Sequence, residues 1–119
     1  MKKTPLRKVR KGATAAMKRT ADALWRKYVL LKYPRCLCGL SSVDAHHIYG
    51  RKAHPWLRHE PTNGIGLCRI CHNNAHSWPN RYREYLRNRV RAAEQSGKPD
   101  YAEICKRLEG MIDELLQRD

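Results

Sequence analysis

Between Cys36 and His76 the chain gathers four cysteines and all six of its histidines, and eight of these ten stand at spacings that suit metal ions. His72 and His76 are four apart, so on a helix they share one face, the usual geometry for two ligands of one ion. His46 and His47 are adjacent; on a strand, neighbours point to opposite sides. One of them can join that ion while the other does different work. A neutral imidazole is the natural acceptor for a proton taken from water near pH 7. Asp44, two before His46, lies on the same strand face and is placed to hydrogen-bond a ligand imidazole from behind.

The cysteines form two close pairs, Cys36-x-Cys38 and Cys68-x-x-Cys71, with 29 residues between the pairs. Zinc takes four thiolate or imidazole ligands in a tetrahedron, and two such knuckles supply four thiolates. The first pair is one residue tighter than the common spacing, and Gly39 suits a tight knuckle. Because His72 follows Cys71 directly, a zinc knuckle would hold the start of the element that carries the histidines. His54 and His59 lack such partners and are expected at the surface or against phosphate.

At 119 residues this is one small domain with a modest core, for which a structural metal is a useful staple. Lysine and arginine total 25 against 11 acids, a formal charge of +14, which points to a polyanionic partner, usually nucleic acid. Residues 100–119 hold six acids and three bases, so the first 99 carry +17. No long basic amphipathic helix with a bulky apolar face favours a membrane surface, and no segment reaches spanning length. The basic stretch Met1–Gly12 is not followed by an apolar run, so no secretory signal is read. A cytoplasmic setting is expected, where five cysteines read as metal ligands plus one spare rather than disulfides.

These residues need elements to position them. Residues 1–13 read as a basic flexible arm. From Thr14 to Tyr33 the pattern predicts a helix, with Met17, Ala21, Leu24, Tyr28 and Leu31 as its apolar stripe and Pro34 as its stop. Trp25, partly off that stripe, is assigned to the core. Short strands are expected near Val43–Ile48 and Ile65–Leu67. The loop between them, Tyr49 to Gly64, is long enough to be functional, and its Arg51, Lys52, His54, Arg58 and His59 can face phosphate. A helix should run from near Cys71 to Trp78, and a second from Asn80 to Glu94 with Arg81, Arg83, Arg87, Arg89 and Arg91 crowding its polar side. Ser96–Pro99 breaks it. A last, acidic amphipathic helix starts after the N-cap Asp100, with Tyr101, Ile104, Cys105, Leu108, Met111, Ile112, Leu115 and Leu116 as its stripe. Packing onto the first helix is the expected use of that stripe; a homodimer seam is the alternative. On either reading Cys105 is a buried apolar residue.

The runs Asp44-Ala-His-His-Ile48, Asn63-Gly-Ile-Gly-Leu-Cys-Arg-Ile-Cys-His72 and Asn-Asn-Ala-His76 resemble the HNH endonuclease motif. The cysteine pairs resemble the zinc-stabilised branch of phage and bacterial members, including recombination nucleases of the NinG kind. The likeness covers about residues 35–78 within a nuclease domain of 14–99. It implies a small α+β fold: a ββα-metal core with a four-cysteine zinc knuckle, flanked by N- and C-terminal helices. It implies His46, His72 and His76 as ligands of one catalytic divalent ion (Mg²⁺, Mn²⁺, Ni²⁺ or Zn²⁺) and His47 as general base. Asn63 would tie the loop and orient that base. The implied partner is DNA, duplex or branched, with 5′-phosphate and 3′-hydroxyl products. Arg51 or Arg58 would meet the scissile phosphate, with Lys52, Arg81 and Arg83 as further DNA contacts. The competing expectation is a zinc-stabilised nucleic-acid-binding module without catalysis. Retention of the whole His-Asn-His set argues against it, since binding alone needs no proton acceptor.

Overall fold

The computed structural model describes residues 4–91 and 98–118, with side chains from Thr14 onward. It is an α+β fold of four helices and a two-stranded antiparallel sheet. The helices are α1 (Thr4–Lys32), α2 (Arg69–Asn74), α3 (Asn80–Asn88) and α4 (Tyr101–Leu116); the strands are β1 (Asp44–His47) and β2 (Gly64–Leu67).

Helix α1 begins at Thr4, so residues 4–13 continue the helix instead of forming a flexible arm. Pro5 falls in the first turn, where its missing N–H costs nothing, and only Gly12 interrupts good helix formers before Thr14. Residues 1–3 of the expected arm lie outside the described residues. The buried face of α1 also differs from the expected stripe. Ala21, Trp25, Tyr28 and Val29 are buried, whereas Leu31 is exposed. The face is rotated because α1 covers two partners at once, α4 and the sheet. Leu108 and Ile112 of α4 pack with Trp25, Tyr28 and Val29 into one core cluster, flanked by Ile104, Met111 and Leu115. Most of the α4 stripe is thus spent within the chain; Leu116 is exposed, and Cys105, expected as buried, is only half-buried. Asp100 caps α4 as expected, its carboxylate accepting from the Glu103 amide at 3.1 Å.

The sheet is pinned in one register: Asp44 faces Leu67, Ala45 faces Gly66, His46 faces Ile65 and His47 faces Gly64. Strand β2 is buried throughout. Its alternation is plain in the packing. Gly64 lies against α1 and Gly66 against Tyr33 and Ser42 just beyond it; Ile65 and Leu67 point the other way, into a second cluster with Cys36, Cys68, Ala75 and Leu86. Ala45 packs with the α1 cluster, so the partner positions Asp44 and His46 belong to the second side.

After β2 the chain enters α2 two residues earlier than expected. Cys68 is its N-cap, the sulfur accepting from the Cys71 amide. The helix closes at Asn74, and Ala75–Ser77 continue as a 3-10 turn that carries His76. Helix α3 ends at Asn88, short of the expected Glu94, which itself lies outside the described residues together with Ser96 and Gly97 of the expected break. Its end is set by tertiary contacts: the Arg91 amide donates to Thr62 Oγ1 at 2.7 Å, and the Arg89 guanidinium covers the Tyr33 ring. The long loop is not structureless. Two 3-10 turns, Pro55–Leu57 and Pro61–Asn63, fold it back on the sheet.

The two strand glycines are where close approach leaves no room for a side chain. A methyl on Gly66 would meet the Tyr33 carbonyl oxygen and, at 2.8 Å, Ser42 Oγ; one on Gly64 would press into Val29 and Trp25. Gly66→Ala should therefore cost about 1–3 kcal/mol of stability, as overpacking does. Gly110→Ala, in open space on α4, should add about 0.5–1 kcal/mol. Urea unfolding of the three proteins checks this; equal stability of Gly66→Ala and parent would contradict the sheet–helix packing.

Candidate functional site

The four thiols converge. Donor atoms of Cys36, Cys38, Cys68 and Cys71 all lie within 4.8 Å of one another, and the Cys38 and Cys68 sulfurs are 3.6 Å apart. A zinc tetrahedron with Zn–S near ~2.3 Å has sulfur–sulfur edges of roughly 3.8 Å. The short first spacing is accommodated as Gly39 suggested. Gly39 adopts φ +97°, its amide donates to the Cys36 carbonyl at 2.9 Å, and the Cys36 amide donates to the Leu40 carbonyl at 2.7 Å. An isolated bridge between Arg35 and Ser41 closes the knuckle.

Burial raises the Cys36 thiol, but amide hydrogen bonds from Cys38 and Cys68 and the neighbouring thiols outweigh it and bring it down to about 7. Hydrogen bonding to Cys36 and Cys68 pushes Cys71 up to about 12. Zinc binding would displace the thiol protons, so metal affinity rises with pH. A structural metal such as zinc fits this donor set.

The histidines divide as the pleat requires. His46 lies on the α2 side of the sheet, its ring centroid 5.1 Å from that of His72 and 6.3 Å from that of His76, both edge-on. Burial, with the nearby imidazoles, drops His46 to about 4, so it is neutral at physiological pH with a free lone pair. Asp44 Oδ2 lies 3.0 Å from His72 Nδ1. A carboxylate only accepts, so Nδ1 carries the proton and Nε2 is left free to face the other rings. Arg69 clamps the same carboxylate with two nitrogens at 2.8 and 3.1 Å, which fixes its position. The imidazoles face one another more loosely than the thiols. Among the described residues, the four cysteines are the only set of three or more histidine, cysteine or acidic donors already gathered to metal-binding distance.

His47 points the opposite way. Its ring stacks on Trp25 at 3.9 Å with planes 6° apart, and its Nε2 lies 2.9 Å from the Arg58 carbonyl oxygen. Since a carbonyl can only accept, Nε2 bears the proton and Nδ1 carries the lone pair. Burial, countered in part by that carbonyl, lowers its pKa. Asn63 is fully buried and holds the loop that supplies the carbonyl: its amide nitrogen donates to Tyr49 and Leu57 carbonyls at 3.1 and 2.9 Å, and its oxygen accepts from the Tyr49 amide at 2.7 Å. His46, His47, His72, His76 and Arg51 line one open cleft of about 410 Å³.

Several expected surface groups are otherwise engaged. Arg58 forks onto Asp22 with two bonds of 2.8 Å, and His59 Nε2 reaches the same carboxylate at 2.7 Å. His59 is buried, not at the surface, because Asp22 on α1 draws the loop inward. Arg58 is therefore spent as a strap. Arg83 is likewise occupied, donating to the His76 and Trp78 carbonyls at 2.9 and 3.2 Å and tying the 3-10 turn to α3. Arg51, Lys52 and Arg81 are exposed, and Arg51, Lys52 and Arg81 have no carboxylate partner among the described residues. Trp25 lies in the core as expected, but its contact with His47 escaped the sequence reading, which also left Val29, continuing the spacing Ala21-Trp25-Val29, off the stripe. Asp22 escaped it altogether. Asp22 is the only acid before Asp44 in a strongly basic chain, and that isolation was its signal.

Comparison of the chain with protein-family models, curated proteins and solved structures found no match in any of the three. No helix among the described residues is long and apolar enough to cross a membrane.

Two measurements test the site. Freshly purified protein should hold a single zinc through the thiols, and either a strong chelator or Cys68→Ala should lower the melting temperature sharply or abolish soluble expression. Folded, zinc-free protein would contradict the thiol assignment. Burial raises the Asp22 carboxyl, but hydrogen bonds from Arg58 and His59 outweigh it and hold it at about 2, below its ordinary value of 3.8. A depressed folded pKa contributes stability above the unfolded value, lost as pH falls through the folded one. The stability gap between parent and Asp22→Asn should thus shrink as pH falls from 3.8 toward 2; a gap independent of pH in that window would refute the strap.

Proposed function

We propose that this chain is a metal-dependent endonuclease that hydrolyses DNA phosphodiester bonds, built on a zinc-stabilised core of the HNH, ββα-metal type. The carrying observation is the division of labour between adjacent histidines. His46 faces His72 and His76, while His47 lines the same cleft with its Nε2 fixed on the Arg58 carbonyl.

His47 Nδ1 accepts the proton of the attacking water. The imidazolium that results donates to the Arg58 carbonyl and lies on the face of Trp25, contacts that offset part of the cost of burying its charge. Asn63 keeps that carbonyl in place by holding Leu57 and Tyr49 on either side of it. His46, His72 and His76 are the residues that would hold a catalytic Mg²⁺, Mn²⁺, Ni²⁺ or Zn²⁺. When bound, such an ion polarises the phosphate and stabilises the leaving oxygen. Asp44 aims His72 Nε2 at it. Arg51, free and lining the cleft, takes the scissile phosphate in place of Arg58. The +17 charge of the first 99 residues supports DNA as the partner. The inward use of most of the α4 stripe supports a monomer, and four cysteines gathered as metal ligands support a cytoplasmic setting.

Supercoiled plasmid with magnesium, manganese or nickel is the test. His47→Ala should nick at least about 100-fold more slowly with zinc content and DNA affinity retained. His72→Ala should stop nicking by weakening binding of the added metal, and Asn63→Ala should leave partial activity. Parental nicking by His47→Ala would overturn the proposal in favour of a zinc-stabilised nucleic-acid-binding module.

A further inference from the structure

A second cavity, of about 340 Å³, opens beside the histidine cleft. That volume lies in the range of roughly 300–1,000 Å³ typical of small-molecule sites. Its walls come from three elements that are distant in sequence: Lys18 on α1, Trp56 and Arg58 on the long loop, and Tyr101 and Arg107 on α4. Arg51 lines both this cavity and the histidine cleft, and is the only residue to do so.

The lining has an unusual composition for a surface hollow. Trp56 leaves 46% of its surface open although it sits on a short turn pinned at both ends. Lys18 and Arg51 have no carboxylate within reach among the described residues. Arg107 meets Glu60 only loosely, at 3.6 Å. The floor is firm: His59 is buried beneath it, bound to Asp22 and edge-on to Tyr101 at 5.9 Å. An exposed indole beside two unpaired cations, Lys18 and Arg51, over a rigid floor suits an unpaired nucleotide, with Arg107 shared between Glu60 and the cavity. The base stacks on the ring whatever its identity, and the cations meet its phosphates. A paired base in duplex DNA cannot present its face this way.

We propose that this cavity binds an unpaired nucleotide of a DNA strand that crosses Arg51 from the histidine cleft, so that the substrate is DNA with a single-stranded segment next to the cut. The cavity itself binds single strand independently of catalysis; the statement about the cut rests on the nuclease reading above.

Binding is measured first, by anisotropy of a short fluorescein-labelled DNA single strand and of the corresponding blunt duplex, with no added divalent metal. Trp56→Ala should weaken single-strand binding by roughly tenfold, and Trp56→Tyr should restore most of it. Arg107→Ala, on a different element, should weaken it less. Zinc content and melting temperature establish that each variant is folded. Single-strand affinity unchanged in both folded Trp56→Ala and Arg107→Ala overturns the cavity whether or not the protein cleaves DNA. Cleavage of a duplex with an unpaired tail is then compared with cleavage of the blunt duplex. Faster cutting of the tailed substrate, with the advantage lost in Trp56→Ala, supports the substrate class. Equal cutting of both overturns it and leaves the nuclease reading standing. Absence of cutting on every substrate, with tryptophan-dependent single-strand binding intact, overturns the nuclease reading and leaves the cavity.

Discussion

Four paired residues fix where the reactive side chains point. Because side chains alternate across a strand, the register of Asp44–His47 against Gly64–Leu67 sends His46 and Asp44 to one face and His47 to the other. A slip of one residue would exchange them. The register is protected on both sides. Gly64 admits Trp25 and Val29 of α1, and Gly66 admits Tyr33, just past the end of α1, together with Ser42, so closely that no larger residue fits, while Ile65 and Leu67 fill the opposite cluster. A slipped β2 would drive isoleucine and leucine into α1 and leave glycines in the second core. The sheet is only two strands wide, yet its alternation is enforced by volume.

The thiol cluster acts on the same constraint from outside. It joins the segment before β1 to the turn after β2, so one ion would close the hairpin at its open end. Cys68 also caps α2, and the helix axis follows from where that sulfur sits. The Asp22 strap does the equivalent at the loop end, anchoring Arg58 and His59 to α1. The site is thus held between two fixed points, a metal knuckle and an ion-pair strap. The hydrophobic core on each side of the sheet is small, and neither cluster would position the histidines without these ties.

What the sequence disclosed follows from how local each signal is. The cysteine pairs, the alternation at Asp44–His47 and the cap Asp100 are all short-range patterns, and each lies where its pattern places it; His76, read as sharing a helix face with His72, instead falls on the 3-10 turn after α2. The long-range facts were hidden. Nothing near Arg58 in sequence says that it belongs to Asp22, or that His59 is buried under Tyr101. Trp25 was read as core, and it is core; that its face is also the platform for His47 depends on a contact between residues far apart in the chain. The true face of α1 was obscured because a helix packed on two sides has two overlapping stripes, and the periodicity of one masks the other.

Asn63 is followed by Gly64, a pairing with a further chemical consequence. Asparagine before glycine is the dipeptide most prone to deamidate, since the unhindered glycine nitrogen can swing onto the side-chain carbonyl carbon and expel ammonia. In the folded chain that carbonyl oxygen is held by the Tyr49 amide, the side-chain nitrogen by two carbonyls, and Gly64 is locked opposite His47. The same bonds that shape the loop also stop a chemical clock. The clock restarts only when the hairpin opens, so a lasting loss of structure would convert a reversible failure of this protein into a permanent one.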